Sequence, residues 1–232
     1  MENTIFTTYF VFQSAFNMNN QDESLETLQD IRRMMERSSR FISLSGLSGV
    51  SAGVCALMGA YIAHVWLGGY YHDYNGRGVY AGEDFHSLIL KLLVLAAIVL
   101  ACALAFAFYF TWKKTRSNDL PIWDHTSKKL IINLLIPLIT GGLFVLGLLY
   151  QNEWFLVAPA SLVFYGLALV NASKYTLTDI RYIGFFEIAL GLLNVVYPDY
   201  SLYFWAIGFG VLHIIYGLIM WWKYDRKPTS GQ

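Results

Sequence analysis

The chain has 232 residues, of which 56% are hydrophobic and 14% are charged, and its formal net charge is zero. So few charged side chains exclude a soluble globular protein of this size, because they could not solvate its surface. The composition instead predicts an all-α, polytopic integral membrane protein.

The first 40 residues are predicted to form an N-terminal cytoplasmic segment. Residues 5–16 are apolar but too short to cross a bilayer, and Glu2 occupies a place where a signal peptide would be basic. Met18 is an alternative start, and N-terminal sequencing of the native protein would decide between it and Met1. Residues 20–40 begin with a capping-box pattern and predict an amphipathic helix. We expect this helix to rest on the inner leaflet or the bundle, or to dock a cytoplasmic partner.

Six apolar stretches follow, each close to the roughly 20 residues that cross a bilayer core. They are residues 41–66, 88–112, 130–150, 154–172, 180–197 and 201–222. Together they predict a six-helix transmembrane domain over residues 41–222, followed by a cytoplasmic tail at 223–232.

The basic residues predict the orientation of these spans. Of the 16 Lys and Arg residues, 14 lie before the first span, in every second connection, or after the last span, and only Arg77 and Lys91 lie on the other side. Cationic flanks stay in the cytoplasm during insertion. Both termini are therefore expected to be cytoplasmic, as an even number of spans requires.

Small residues form a stripe along the first span. Gly46, Gly49 and Gly53 recur at helical spacing and continue into Ala56 and Ala60. Such stripes let two helix backbones approach closely within a bilayer. We expect this face to contact another span, or else a second copy of the chain.

Residues 68–87 predict a long outer loop with a concentration of metal-binding side chains. His72, Asp73, Glu83 and His86 supply imidazole and carboxylate ligands, which suit a divalent metal. Their spacing matches no specific metal motif, so a solvated, aromatic-rich loop is the plainer interpretation. No other cofactor is expected.

The last two spans carry a candidate intramembrane polar site formed by Glu187, Asn194 and His213. Counted from the turn at Pro198, Glu187 and His213 differ in depth by about 4.5 Å, which their side chains can bridge. An ionised Glu alone in hydrocarbon costs at least a few kcal/mol, so we expect it to be protonated, paired or hydrated. Four glycines on the same stripes are expected to bring the two spans together: Gly184, Gly191, Gly210 and Gly217.

A short pattern repeats along the chain and predicts three helical hairpins. Residues 146–149 and 190–193 both read Leu-Gly-Leu-Leu, and residues 165–167 and 216–218 both read Tyr-Gly-Leu. With its turn at Pro198, the 189–217 segment resembles the two-helix repeat of HdeD-type acid-resistance membrane proteins. The resemblance rests on Gly, Leu and Pro and covers the hairpin spans alone. It implies a bacterial inner-membrane protein with a stress-related role.

Three functions are compatible with these patterns. The first is a non-enzymatic accessory or stress-related interaction module of the bacterial cytoplasmic membrane, whose partners are the lipid bilayer and a protein or second copy, with no nucleic acid. The second is a small transporter or proton-coupled permease that uses Glu187 and His213. The third is a membrane enzyme with a metal site in the 68–87 loop.

Overall fold

The computed structural model describes residues 45–77, 82–117 and 125–225, with the backbone alone for 73–77, 82–84, 115 and 117. The described residues form helices joined by short turns and contain no strand. The predicted amphipathic helix at 20–40 and residues 226–232 of the predicted tail lie outside this part of the chain.

Six helical rods follow one another in the described ranges. We number them α1 to α6: α1 is Gly46–Arg77, α2 is Gly82–Ser117, α3 is His125–Tyr150, α4 is Val157–Ala172, α5 is Ile180–Val196 and α6 is residues 201–225. A short 3-10 turn, Trp154–Leu156, leads into α4. Helix α6 is α-helical at both Ser201–Trp205 and His213–Met220, and π-helical at Ala206–Leu212 and Trp221–Asp225.

Five segments of the described chain are long and apolar enough to cross a membrane: Gly46–His72, Phe85–Lys114, His125–Tyr150, Trp154–Ala172 and Pro198–Asp225. Helix α5 is also apolar but has 17 residues, just under the roughly 20 that a straight span needs. For the described residues, the prediction of an all-helical fold with several helices long and apolar enough to cross a membrane is confirmed.

The first two helices are longer than the sequence predicted. Helix α1 continues to Arg77 and α2 begins at Gly82, so most of the predicted 68–87 loop is helical and that prediction is wrong. Hydropathy marks where a helix leaves the hydrocarbon, not where its hydrogen bonds end. Aromatic contacts join the two extensions, with Tyr70 and Phe85 ring centroids 6.1 Å apart.

The helices pack in two groups. Helix α1 packs against α2 on one side and α6 on the other, whereas α4 packs between α3 and α5. Helices α5 and α6 follow each other in the chain, but their mutual contact is smaller than these. The main contact of α5 is with α4 and that of α6 is with α1, so both lie outside the predicted α5–α6 hairpin.

One end of the bundle contains the N-termini of α1, α3 and α5 and the C-termini of α2, α4 and α6. We call it the basic end, after Lys114, Lys174 and Lys223. Asp225 joins three helices there: one carboxylate oxygen lies 2.7 Å from the Lys114 Nζ, and the other accepts the Gly46 N–H at 2.9 Å. At the opposite end, Phe85 packs edge-on against Trp154.

The glycine stripe of α1 lies against α6. A Cβ atom added to Gly53 would be 2.6 Å from the Gly210 carbonyl oxygen, and one added to Gly217 would be 2.5 Å from the Val50 nitrogen. Gly46 and Gly49 contact the same face of α6, at Gly217. These two backbones are so close that no side chain fits between them.

Helices α4 and α5 meet in the same way. A Cβ on Gly166 would be 2.6 Å from the Gly184 carbonyl oxygen, and the reciprocal distance is 2.8 Å. Gly191 lies equally close to the Pro159 carbonyl oxygen, at 2.9 Å. The expectation that Gly184, Gly191, Gly210 and Gly217 bring α5 and α6 together is therefore wrong, because the first pair faces α4 and the second faces α1.

Helices α2 and α3 expose most of their apolar surface. Leu90, Phe108 and Leu143 are 63%, 66% and 65% exposed. In a membrane protein such surface suits contact with lipid tails, which are as apolar as these side chains.

Candidate intramembrane polar site

Three helices position the candidate site about midway along the bundle. Glu187 lies seven residues into α5, His213 lies at the middle of α6, and Tyr165 extends from α4. Glu187 has no accessible surface, and the structure gives neither of its carboxyl oxygens a hydrogen-bond partner. Buried polar atoms are almost always hydrogen-bonded, so this carboxyl group is an exception that calls for a functional explanation.

Glu187 and His213 face each other, as their matched depth predicted. The Nδ1 atom of His213 lies 3.6 Å from the Glu187 Oε1, which is within ion-pair range but longer than a hydrogen bond. A small movement of either side chain is enough to convert this approach into a hydrogen bond.

The hydrogen bonds of His213 determine its tautomer. Its Nδ1 lies 3.0 Å from the Gly208 carbonyl oxygen, which can only accept, so Nδ1 carries the proton. Its Nε2 lies 2.7 Å from the Tyr165 hydroxyl. In the neutral ring Nε2 therefore accepts the Tyr165 O–H, whereas in the charged ring both nitrogens donate. The imidazole thus connects the phenol to the carboxyl group.

The π-helical turn of α6 makes this arrangement possible. Gly208 and His213 are five residues apart, a spacing that falls on opposite sides of an α-helix but closes one turn of a π-helix. Gly208 leaves room for the two neighbouring side chains, because a Cβ there would be 2.5 Å from the Glu187 Oε2 and 2.5 Å from a methyl group of Leu162, and the ends of both side chains would have to shift. The site therefore depends on the widened turn, and the missing side chain lets Glu187 and Leu162 approach α6.

Asn194, the third predicted residue, belongs to a separate pair. It is fully buried two turns beyond Glu187, toward the opposite end of α5. Its side-chain oxygen accepts the Ser201 hydroxyl at 2.9 Å, while its amide nitrogen has no hydrogen-bond partner. The structure therefore brings Glu187 and His213 together but does not place Asn194 with them.

A charged cluster closes the basic end of α5 and α6. Asp179 accepts hydrogen bonds from the Lys223 Nζ at 2.8 Å and from the Tyr224 hydroxyl at 2.9 Å. Partial burial alone would raise the pKa of the Asp179 carboxyl group, but these two hydrogen bonds and the Lys223 charge outweigh it, and the pKa is lowered. Asp179 is therefore an ionised carboxylate at neutral pH.

The predicted metal ligands receive no support from the described side chains. His72 and His86 are exposed near the ends of α1 and α2, and the side chains of Asp73 and Glu83 lie outside the described set. Where side chains are described, no three His, Cys, Asp or Glu residues are arranged to hold a metal ion.

Two tyrosines of the site were not predicted from the sequence. Tyr165 bonds His213, and Tyr216 has a buried hydroxyl one turn further along α6. Both begin a copy of the Tyr-Gly-Leu pattern, and in both copies the glycine lies in a close helix contact. A tyrosine directly before a glycine that lies in a helix contact was therefore the sequence pattern that could have identified both tyrosines.

These features define an integral membrane protein with a buried acid–imidazole–phenol site. Comparisons with protein-family models, curated proteins and solved structures find no match for the chain.

Proposed function

We propose that this chain is a non-enzymatic protein of the bacterial cytoplasmic membrane that responds to protonation through Glu187 and His213. The observation that carries the proposal is the fully buried Glu187 carboxyl group, which has no hydrogen bond yet lies 3.6 Å from a histidine. Intramembrane carboxylates are costly and mark functional sites by default.

The pair has two electrically neutral states with different geometry. With the proton on Glu187, the carboxyl O–H needs an acceptor and the imidazole is neutral. With the proton on His213, the carboxylate and imidazolium attract each other and draw α5 and α6 together. These two states hold the same number of protons, so a change in pH acts by leaving the pair charged: an added proton places an imidazolium beside a protonated carboxyl group, and a lost proton places a carboxylate beside a neutral imidazole. Either change removes the attraction of the ion pair and alters the contact between the two helices, which an accessory or stress-related interaction module can transmit to a partner.

The burial of the site favours this role over a solute permease. A carrier must give its substrate a route to the binding residues, whereas Glu187 and Asn194 have no accessible surface. Protons alone can reach such a site along hydrogen-bonding side chains. The acid-resistance role implied by the HdeD-type resemblance would use a site of this kind.

The proposal is tested by thermal unfolding of wild type, Glu187→Gln, His213→Asn and the double variant. Each single variant should lose stability, and the double variant should lose less than the sum, with a coupling of about 0.5–3 kcal/mol. Wild-type stability should also change with pH as the pair gains or loses a proton, and the variants should lose that response. Glu153→Gln and His125→Asn change exposed residues and are the matched controls. Additive losses with an unchanged pH profile would refute the proposal.

The proposed orientation places the basic end and both termini in the cytoplasm, with the chain folded as three consecutive hairpins. The segregation of 14 of the 16 basic residues supports it. In a chain with Cys55→Ala and Cys102→Ala, an impermeant maleimide added to intact cells should label Asn75→Cys but not Asn118→Cys. The reverse labelling pattern would show that the protein has the opposite orientation in the membrane.

A further inference from the structure

We infer that the contact between α3 and α4 binds the headgroup of an anionic phospholipid at the basic end of the bundle, through Lys129 and Lys174. This site lies away from Glu187 and His213 and does not depend on the proposed response to protonation. Three features of the α3–α4 contact carry the inference: its hydrogen-bonded amides, its charge and the apolar surface beside it.

A chain of hydrogen bonds joins the two helices near the basic end. The Asn171 amide nitrogen of α4 donates to the Asn133 backbone carbonyl oxygen at 2.8 Å and to its side-chain oxygen at 3.3 Å. On α3, the Asn133 amide nitrogen donates to the Lys129 carbonyl oxygen at 2.8 Å. On α4, the Lys174 Nζ donates to the Asn171 side-chain oxygen at 3.3 Å. Lys129 and Lys174 therefore flank the same pair of amides, one from each helix.

Other lysines at the basic end are neutralised by carboxylates. The Lys114 Nζ lies 2.7 Å from an Asp225 oxygen, and the Lys223 Nζ lies 2.8 Å from an Asp179 oxygen. Lys174 differs from both, because its hydrogen-bond partner is a neutral amide. Its positive charge therefore has no counter-charge in that contact.

The α3–α4 region as a whole carries uncompensated positive charge at this end. Between residues 125 and 174 the sequence contains one acidic residue, Glu153, which follows α3 at the opposite end. Lys129 and Lys174 are both exposed, and neither has an ion-pair partner among the described residues. An ammonium group has three N–H donors, so both lysines keep donors available for an anion.

An apolar surface continues from the amides toward the middle of the bundle. Leu167 lies one turn before Asn171 on α4, and Ile136 lies about one turn after Asn133 on α3. The Leu167 and Ile136 side chains are 43% and 57% exposed. Cationic donors with exposed hydrocarbon beside them match the phosphate and the acyl chains of a phospholipid, whereas a free phosphate ion would use the lysines alone.

The charge of the site selects among phospholipids. A zwitterionic headgroup carries its own ammonium group, which the two lysines repel, whereas an anionic headgroup carries none. Basic sites between membrane helices bind anionic headgroups in this way, and each lysine near the headgroup favours them by about fivefold. The site should therefore prefer an anionic lipid.

The test is native mass spectrometry of the full chain, released from micelles with equal amounts of phosphatidylglycerol and phosphatidylcholine that carry the same acyl chains. Wild type should retain phosphatidylglycerol in preference to phosphatidylcholine. Lys129→Gln and Lys174→Gln should each lower the ratio of the two bound lipids by about fivefold. Lys113→Gln is the matched control, because it removes the same charge from an exposed residue at the basic end of α2 and should leave the ratio unchanged.

A competition distinguishes a lipid from a free anion. Inorganic phosphate in excess should not displace the bound phosphatidylglycerol, because the acyl chains contribute to its binding. Equal retention of the two lipids by wild type, an equal loss of preference in Lys113→Gln, or displacement of the lipid by inorganic phosphate would each overturn the inference. The substituted lysines are exposed, and the comparison of the two lipids on wild type needs no variant.

Discussion

Two helix pairs in this bundle are both joined by close glycine contacts, but the hydrogen bonding of the nearby buried polar groups differs between them. Where α1 meets α6, Ser48 donates to the Ser45 carbonyl oxygen, and the Ser45 hydroxyl and the Gly46 N–H both donate to one oxygen of Asp225. The other Asp225 oxygen has no hydrogen bond but is neutralised by Lys114, whose Nζ lies 2.7 Å away. Where α5 leaves α4 to face α6, Glu187 and Asn194 are fully buried with side-chain atoms that have no hydrogen-bond partner. Close packing of helices through glycine therefore does not by itself leave polar atoms without partners. The absence of hydrogen bonds at the Glu187 carboxyl oxygens needs a different explanation.

The largest expected effect tests whether the two contacts are equally tight. Gly53→Leu places a branched side chain against the Gly210 carbonyl oxygen, which cannot move without displacing α6. We expect a loss of about 3 kcal/mol or more in the free energy of unfolding. Gly166→Leu should cost a similar amount at the α4–α5 contact. Thermal unfolding in detergent measures both.

Gly147→Leu is the control for those substitutions, since a Cβ there would meet nothing within 4 Å. Its effect should stay within about 0.5 kcal/mol. If Gly53→Leu were as stable as this control, the α1–α6 contact would be looser than described and the likeness between the two helix pairs would fail.

A smaller effect tests the difference between the two regions. Replacing an unsatisfied buried polar group with an apolar one of similar size removes its desolvation cost. Glu187→Met loses the contact with His213 as Glu187→Gln does, but it also removes that cost, so it should be about 1 kcal/mol more stable than Glu187→Gln. Ser48→Ala should destabilise the wild type by about 1 kcal/mol through loss of a satisfied hydrogen bond. Chemical or thermal unfolding compares the variants. A Glu187→Met variant no more stable than Glu187→Gln would mean that the carboxyl group is a structural part of the bundle.

The membrane spans could be predicted from the sequence because hydropathy and charge are local properties. The depth of Glu187 and His213 could also be counted from the Pro198 turn, since both helices rise at a fixed rate per residue. The helix that each glycine stripe contacts could not be predicted from the sequence, because a stripe of small residues fits against any close neighbouring helix. Gly184 and Gly210 accordingly face α4 and α1, which are chosen by the packing of the whole bundle.

Tyr165 was missed for a related reason. It comes from a different part of the chain, 48 residues before His213, and a tyrosine in an apolar span is as suited to lipid contact as to a buried hydrogen bond. The length of α1 and α2 was missed because polar residues past the bilayer can stay helical when aromatic contacts such as that of Tyr70 with Phe85 support them. Contacts between residues far apart in the chain therefore determined the role of Tyr165 and the lengths of α1 and α2, which local sequence patterns did not predict.

The π-helical segment at Ala206–Leu212 has a consequence for how this chain can diverge. It lets α6 present Gly208 and His213 to α5 while Gly210 and Gly217 face α1. Loss of one residue from this segment would restore a regular α-helix and rotate everything after it by about 100° relative to what precedes it. One of the two contacts would then be lost. Exchanges among apolar residues can accumulate along α6, but the number of residues between Gly208 and Gly217 has to be inherited unchanged.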